Sequence, residues 1–274
     1  MNYKIIASDL DGTLLNEAVT VSQENVEAIV KMKEMGVEFV PASGRTVSEL
    51  IPPVYNLPGV RYFIYSNGAG IYDKLTDTHT LMCMSKELSN KILDIVNGYQ
   101  THVTLRHQGN SHVDAKMQTE KDWEYYNVFV PHQIVVKHMA KHYDDFKSFS
   151  YSVDNVEVIS AFFHDRKEFE ECKQKLIDTN EVIVVEGSDL NCEIISNKAG
   201  KGNALIKLAN MLNVPISQTI TVGDSGNDIP MTLISGLSLA VENACDALKQ
   251  VAQKTICSNE EHVAKYIYEN ILLK

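Results

Sequence analysis

Lys4-Ile5-Ile6-Ala7-Ser8-Asp9-Leu10-Asp11-Gly12-Thr13-Leu14 is a short apolar run that ends in two acids one residue apart. The run reads as a buried strand, and in a parallel α/β sheet ligands bind outside the carboxyl ends of the strands. Side chains alternate along an extended chain, so Asp9 and Asp11 can face one reacting centre. One can attack while the other moves protons. Gly12 permits the sharp turn of an acid-rich loop, and Thr13 offers a hydroxyl and a backbone donor to an anion.

A second acidic cluster, Gly223-Asp224-Ser225-Gly226-Asn227-Asp228, directly follows the β-branched run Thr219-Ile220-Thr221-Val222. Acids at the ends of two strands distant in sequence would meet at one edge of a doubly wound sheet and form a strongly negative pocket, which requires a cation. Oxygen ligands with no Cys or His nearby favour Mg²⁺, which keeps several waters and takes one or two carboxylates. Between the clusters lie Ser43-Gly44-Arg45, after the strand-like Glu38-Phe39-Val40-Pro41-Ala42, and Lys201-Gly202 at the head of an apolar-periodic helix. A hydroxyl, a backbone turn and an ammonium beside a Mg²⁺ carboxylate site match the needs of a transferring phosphoryl group, whose chemistry is positioning and charge stabilisation.

With these segments in order, the chain resembles the haloacid dehalogenase superfamily of phosphohydrolases, and within it the Cof-type phosphatases with a large inserted cap. The motifs are Asp9-x-Asp11-Gly12-Thr13, Ser43-Gly44-Arg45, Lys201-Gly202 and Gly223-Asp224-x-x-Asn227-Asp228; Ser66-Asn67-Gly68-Ala69 and Asn227-Asp228-Ile229-Pro230-Met231 are Cof-like. The likeness implies an aspartyl-phosphate on Asp9, with the Asp11 backbone carbonyl as a further metal ligand. Asp11 is then the acid that protonates the leaving alkoxide and the base that activates water. Ser43 and Lys201 hold the phosphoryl oxygens. Asp9, Asp11 and Asp224 make the metal set, Asp228 orients Lys201 or a metal-bound water, and Leu10, Gly44 and Asn227 stand on the substrate side. Arg45 is left outside the catalytic set. One departure lies in Glu260-Glu261-His262-Val263-Ala264, where members often carry Gly in place of His262; it makes this loop's conformation the open point.

The expected fold is a doubly wound, Rossmann-like parallel sheet with an inserted α/β cap. Residues 1–81 and 191–274 are assigned to the catalytic core and 82–190 to a cap that selects the substrate. Ser22 reads as the N-cap of a helix ending near Gly36, and Tyr62–Tyr65 as a third strand. Val156–Phe163 and Glu181–Val185 read as cap strands and Asp165–Ile177 as a cap helix. The expected activity is Mg²⁺-dependent hydrolysis of small phosphorylated metabolites, sugar phosphates among them. A phosphomutase on the same core and a non-catalytic sensor are the alternatives.

With 36 acidic against 25 basic residues, the net charge of −11 repels nucleic acid and anionic membrane. No apolar run is long enough to span a bilayer and no signal-peptide pattern precedes Asp9, so a cytoplasmic enzyme is expected. Composition leaves the oligomeric state open. Cys83, Cys172, Cys192, Cys245 and Cys257 lack CxxC spacing and are read as reduced packing residues. Gly68-Ala69-Gly70 lacks the third Gly of a dinucleotide fingerprint. His138 and His142 have the spacing of one helix face but not the Glu of a zinc hydrolase. They are expected in solvent, most cap histidines at the surface or in structural hydrogen bonds, and Trp123 with Tyr125 and Tyr126 in cap packing.

Overall fold

Ile5–Ser8 is buried at every position and lies in a parallel sheet whose order is Lys254–Thr255, Leu237–Ala240, Thr219–Gly223, Ile5–Ser8, Glu38–Pro41. Strands buried on both faces lose the alternation of a half-exposed strand, which is why this run and Thr219–Gly223 read as continuous apolar stretches. The chain builds outward from Ile5–Ser8 in one direction through Glu38–Pro41 and in the other through Thr219–Gly223. That reversal is the topological switch point where open α/β sheets form a crevice. The register pairs Ser8 with both Val222 and Pro41, so Asp9, Asp224 and Ser43 all emerge just past the paired ends.

The computed structural model describes residues 3–274. They divide into two compact units: Arg45–Glu49 with Leu81–Gly200 form the second, and the remaining described residues form the first. Within the first unit, Ser22 accepts from the Asn25 amide at 3.3 Å and opens the helix Gln23–Glu34, and Gly36 follows its end at φ +73°. Tyr62–Tyr65 is a strand, but it belongs to a separate sheet with Gly70–Asp73, its antiparallel partner, and Thr78–Leu81. Its link to the parallel sheet is the bridge from Ala42 to Ile64. The fold is therefore α/β, with a parallel core sheet and additional sheets.

The second unit has a six-stranded sheet in the order Val182–Ser188, Asn191–Ser196, Val156–Phe163, Thr101–His107, Asn110–Asp114, Lys141–Tyr143. The pairs are antiparallel except the last, which is parallel. Helices Lys86–Val96 and Arg166–Asp178 share a core with Leu105, Ile159, Ala161, Phe163, Cys192 and Ile194, while Val113 and Phe162 cluster with Trp123, Val128 and Val136. The alternation of these residues along the strands places the two clusters on opposite faces of the sheet. Asp165 caps Arg166–Asp178 through the Glu168 amide at 2.9 Å. His138 ends the helix Val130–His138, whereas His142 lies in the strand Lys141–Tyr143, so the two share no helix face. The five cysteines are free thiols.

Candidate active site

Asp9 leaves the strand with its amide bonded to Val222 O at 3.0 Å, and the following residues close a tight turn in which Leu15 N reaches Leu10 O at 2.9 Å. Gly12 makes this turn possible. It sits at φ +76°, and a Cβ there would stand 2.7 Å from Asp224 Oδ2, so the absent side chain lets the acidic turn approach the second acidic loop. Thr13 is fully buried and points Oγ1 at Asp224 Oδ1 across 3.4 Å. Its hydroxyl therefore addresses a carboxylate rather than an incoming anion. Leu10 is buried in the core and offers a ligand only its backbone; Asp11 is exposed.

The second loop is organised by Asp228. Its Oδ2 accepts from the amides of Asp224 at 3.0 Å and Ser225 at 3.1 Å, and its Oδ1 takes Lys201 Nζ at 2.6 Å. Gly223 has no Cβ because one would meet Asp228 Oδ2 at 2.3 Å. Lys201 opens the helix Lys201–Met211, is fully buried, and also donates to Asp9 Oδ1 at 2.5 Å. Gly202 lets this helix start press against the Pro230 carbonyl, where a Cβ would stand 2.6 Å away. One ammonium thus bridges the acid of the first motif to the acid of the last.

Charge does not balance here. Oxygens of Asp9, Asp224 and Asp228 lie within 4.8 Å of one another, against the one ammonium of Lys201. Burial raises the Asp9 carboxyl well above its usual range, Lys201 opposes the rise, and the charges of Asp228 and Asp224 add to it. Burial, then the Asp228 charge, pushes Asp224 up to about 6. Burial works against the Lys201 ammonium, but Asp228 and Asp9 outweigh it and hold the amine above the ordinary lysine range. Three hard oxygen donors with surplus negative charge, and no nitrogen or sulfur ligand in the group, fit a small divalent cation such as Mg²⁺. Both oxygens of Asp228 are engaged with Lys201 and backbone amides, whereas Lys201 takes one oxygen of Asp9 and Thr13 one of Asp224.

Ser43 is buried beside this cluster's sheet edge, with its amide on Ile64 O at 2.9 Å and its carbonyl accepting from Asn67 N at 3.0 Å. Gly44 packs against Asn67: a Cβ would lie 3.2 Å from Asn67 Oδ1. The same Oδ1 accepts from Asn227 Nδ2 at 3.1 Å. Asn67 therefore joins Ser43, Gly44 and Asn227, although sequence reasoning placed it only in a subfamily segment. Its signal was conformational: Ser66, Asn67 and Gly68 occupy successive left-handed positions at φ +49°, +52° and +85°, a costly run that clusters at functional sites. Arg45, next in the chain, belongs to the second unit and donates to Glu49 O at 3.3 Å.

Comparison with known proteins agrees with this arrangement. The family model of haloacid dehalogenase-like hydrolases matches residues 6–267. Phosphatase YwpJ of Bacillus subtilis (strain 168) is 28% identical over 285 residues, covering 98% of this chain and 100% of that protein. The 5-amino-6-(5-phospho-D-ribitylamino)uracil phosphatase YwtE of the same organism is 26% identical over 289 residues, with 98% of each chain covered. A solved haloacid dehalogenase-like hydrolase from B. subtilis superposes with a TM-score of 0.81 at 23% identity, over 98% of this chain and 99% of that one. The match of fold and motif order along nearly the full length leads to one conclusion: the chain belongs to the haloacid dehalogenase-like hydrolase family, as an enzyme of its phosphatase branch.

Proposed function

We propose that this chain is a Mg²⁺-dependent cytoplasmic phosphatase that hydrolyses small phosphorylated metabolites through an aspartyl-phosphate on Asp9. The observation that carries the reading is the buried bridge of Lys201 between Asp9 and Asp228, beside Asp224. A phosphomonoester dianion is repelled by a carboxylate nucleophile, so attack requires positive charge fixed at the point of encounter. Lys201 supplies part of it and opposes the effect of burial on Asp9, which must be ionised to attack. Asp9, Asp224 and the Asp11 carbonyl would hold Mg²⁺, which when bound screens the nucleophile and the phosphoryl oxygens from each other.

In the first half-reaction an Asp9 carboxylate oxygen bonds to phosphorus, the ester P–O bond breaks, and the Asp11 carboxylic acid gives its proton to the departing alkoxide. In the second, the Asp11 carboxylate takes a proton from water as its oxygen attacks phosphorus, freeing Asp9 and inorganic phosphate. Ser43 and Lys201 hold the equatorial oxygens through both, with Gly44, Asn227 and the Leu10 backbone on the substrate side. Asp228 keeps Lys201 aimed. Groups occupied with phosphate and metal treat phosphomonoesters alike, so choice of metabolite falls to the cap, residues 82–190. The B. subtilis relative named for a phosphorylated ribityl compound supports a small metabolite as substrate.

The test is phosphate release from an aryl phosphate and from a panel of phosphorylated metabolites. Release should stop on chelation and return with Mg²⁺ but not with Ca²⁺, whose larger and looser shell misplaces the nucleophile. Asp9→Asn should abolish turnover and the trapped phosphoenzyme, Asp11→Asn should slow turnover by about 10²- to 10⁴-fold, and Lys201→Ala should cost about 10²-fold. Near-normal turnover by Asp9→Asn, or phosphate retained on a rearranged sugar, overturns the reading.

A further inference from the structure

We infer that Asn243 is a positioning residue: its carboxamide ties the turn that carries Asp11 to the loops behind it and thereby sets where Asp11 meets the leaving oxygen. The inference rests on the acid role proposed above for Asp11, and every group in it belongs to the first unit.

Asp11 is exposed, and Gly12 sits at the middle of the turn Leu10–Leu14. The turn draws its own ends together, through Leu14 N on Asp9 O at 3.3 Å and Leu15 N on Leu10 O at 2.9 Å. Its middle is reached from outside. Asn243 Nδ2 donates to Gly12 O at 2.8 Å, and Asn243 Oδ1 accepts from the Asn259 amide at 3.1 Å. Asn259 Nδ2 in turn donates to Leu15 O at 3.0 Å. Two carboxamides, 231 and 244 residues along the chain from the carbonyls they meet, thus hold the middle and the exit of the acidic turn.

Asn243 is itself fixed. It follows the strand Leu237–Ala240 in a turn closed by Ala244 N on Val241 O at 3.0 Å. The flanks of that turn are bonded to the second acidic loop, Val241 N to Gly223 O at 3.1 Å and Cys245 N to Asp224 O at 2.8 Å, while Glu242 N donates to Cys257 O at 3.2 Å. The turn therefore brackets both acidic loops, by backbone bonds on the Asp224 side and by one side chain on the Asp11 side. A substitution at Asn243 leaves the first set in place and cuts the second.

The chemistry of the side chain matches this task. A carboxamide offers a donor and an acceptor on one short stem, whereas a carboxylate would set a second acceptor against the Gly12 carbonyl. Asn243 is exposed, so its bonds replace bonds to water and add little to stability. What they supply is direction. Asp9 does not depend on them, since its amide is held by Val222 O at 3.0 Å and its carboxylate by Lys201 Nζ. Loss of the Asn243 bond therefore frees Asp11 while the nucleophile stays where it is. Proton transfer requires the acid within hydrogen-bond reach of the leaving oxygen, and a displacement near 1 Å can cost about 10²-fold in rate. A bond made one residue from Asp11 acts on that alignment without touching the substrate.

The test uses the full-length enzyme with Mg²⁺ and two substrates that share a ring, para-nitrophenyl phosphate and phenyl phosphate. Nitrophenolate departs without a proton, whereas the more basic phenolate needs one, and kcat/KM reports the steps through ester cleavage, before Asp11 acts as a base. Asn243→Ala should lose about 10-fold in kcat/KM on phenyl phosphate and less than about threefold on para-nitrophenyl phosphate. Asn243→Asp keeps the acceptor for the Asn259 amide but not the donor to Gly12 O. It should show the same discrimination on top of a loss common to both substrates from its added charge, and it carries the test if the thermal midpoint shows Asn243→Ala to be unfolded. Asp11→Asn should discriminate more strongly, and adding Asn243→Ala to it should cost nothing further on phenyl phosphate, because Asn243 acts through Asp11. Losses that are equal on the two substrates or absent in the Asn243 variants, or a further loss on phenyl phosphate in the double variant, would overturn the inference while leaving the acid role in place. Equal losses in Asp11→Asn itself would refute the acid role, and the positioning role with it.

Discussion

At Gly12 the backbone turns through φ +76°, and a methyl group built there stands 2.7 Å from Asp224 Oδ2. Both demands fall on one residue, since a side chain would strain the turn and push away the Asp224 carboxylate of the acidic cluster. Gly12→Ala should lose about 10- to 10²-fold in turnover from displacement of Asp224, on the scale by which small misplacements slow enzymes. Its far-ultraviolet circular dichroism should be unchanged. Turnover within twofold of wild type would show that the acidic turn tolerates a wider approach than this geometry implies.

At the scale of elements, the start of the helix Val263–Ile267 is capped from the first turn of the helix Gln23–Glu34. Asn25 Oδ1 accepts from the amides of Ala264 at 2.9 Å and Lys265 at 3.3 Å, and His262 Nδ1 pairs with Ser22 Oγ at 2.9 Å. His262 supplies that bond from a left-handed conformation, φ +63° and ψ +67°, of the kind that Gly adopts without strain. The departure from the family's Gly thus keeps a Gly-favouring backbone and adds a side-chain contact. His262→Gly and His262→Ala both lose the imidazole, but only Ala retains the backbone cost. In urea unfolding Gly should be more stable than Ala by about 1 kcal/mol at equal m-value. Ala equal to or above Gly would contradict the left-handed assignment.

Across the molecule, acid sensitivity should come from histidines buried in the second unit. His112 lies between Tyr143 OH at 3.1 Å and His107 O at 3.1 Å, an arrangement that satisfies a neutral ring, and burial pulls it down to about 4. Burial likewise holds His132 well below its ordinary value, with Arg106 and His102 adding, and lowers His102. These folded values lie below the unfolded value of about 6.5, so the unfolded chain binds more protons in that window. The stability from neutral rings is complete above about pH 6.5 and is lost as pH falls towards the folded values. The contribution of these histidines to the thermal midpoint should therefore fall between pH 7.5 and pH 5, against the opposite contribution of the raised Asp9 and Asp224. His112→Gln should flatten that slope; a variant as acid-sensitive as wild type would remove His112 from the account.

What the amino-acid order determined by itself was whatever depends on near neighbours. An apolar run followed by spaced acids marked Ile5–Ser8 and its turn, Ser22 and Gly36 bracketed a helix, and Val156–Phe163 matched its strand from end to end. Motif order then carried the family, and the strand ends carried the meeting of Asp9 with Asp224. Tertiary structure alone decided the rest, because the partners are far apart in the chain. Thr13 turns its hydroxyl to a carboxylate 211 residues away, Ser111 reaches Glu49 across 62, and Asn227 meets Asn67 across 160. Tyr62–Tyr65 carries strand chemistry whichever sheet it joins, and only pairing with Gly70–Asp73 gives it one. Local pattern specifies an element because its bonds close within a few residues. Which buried polar group answers which other is settled only when packing removes water and leaves each donor one acceptor within reach.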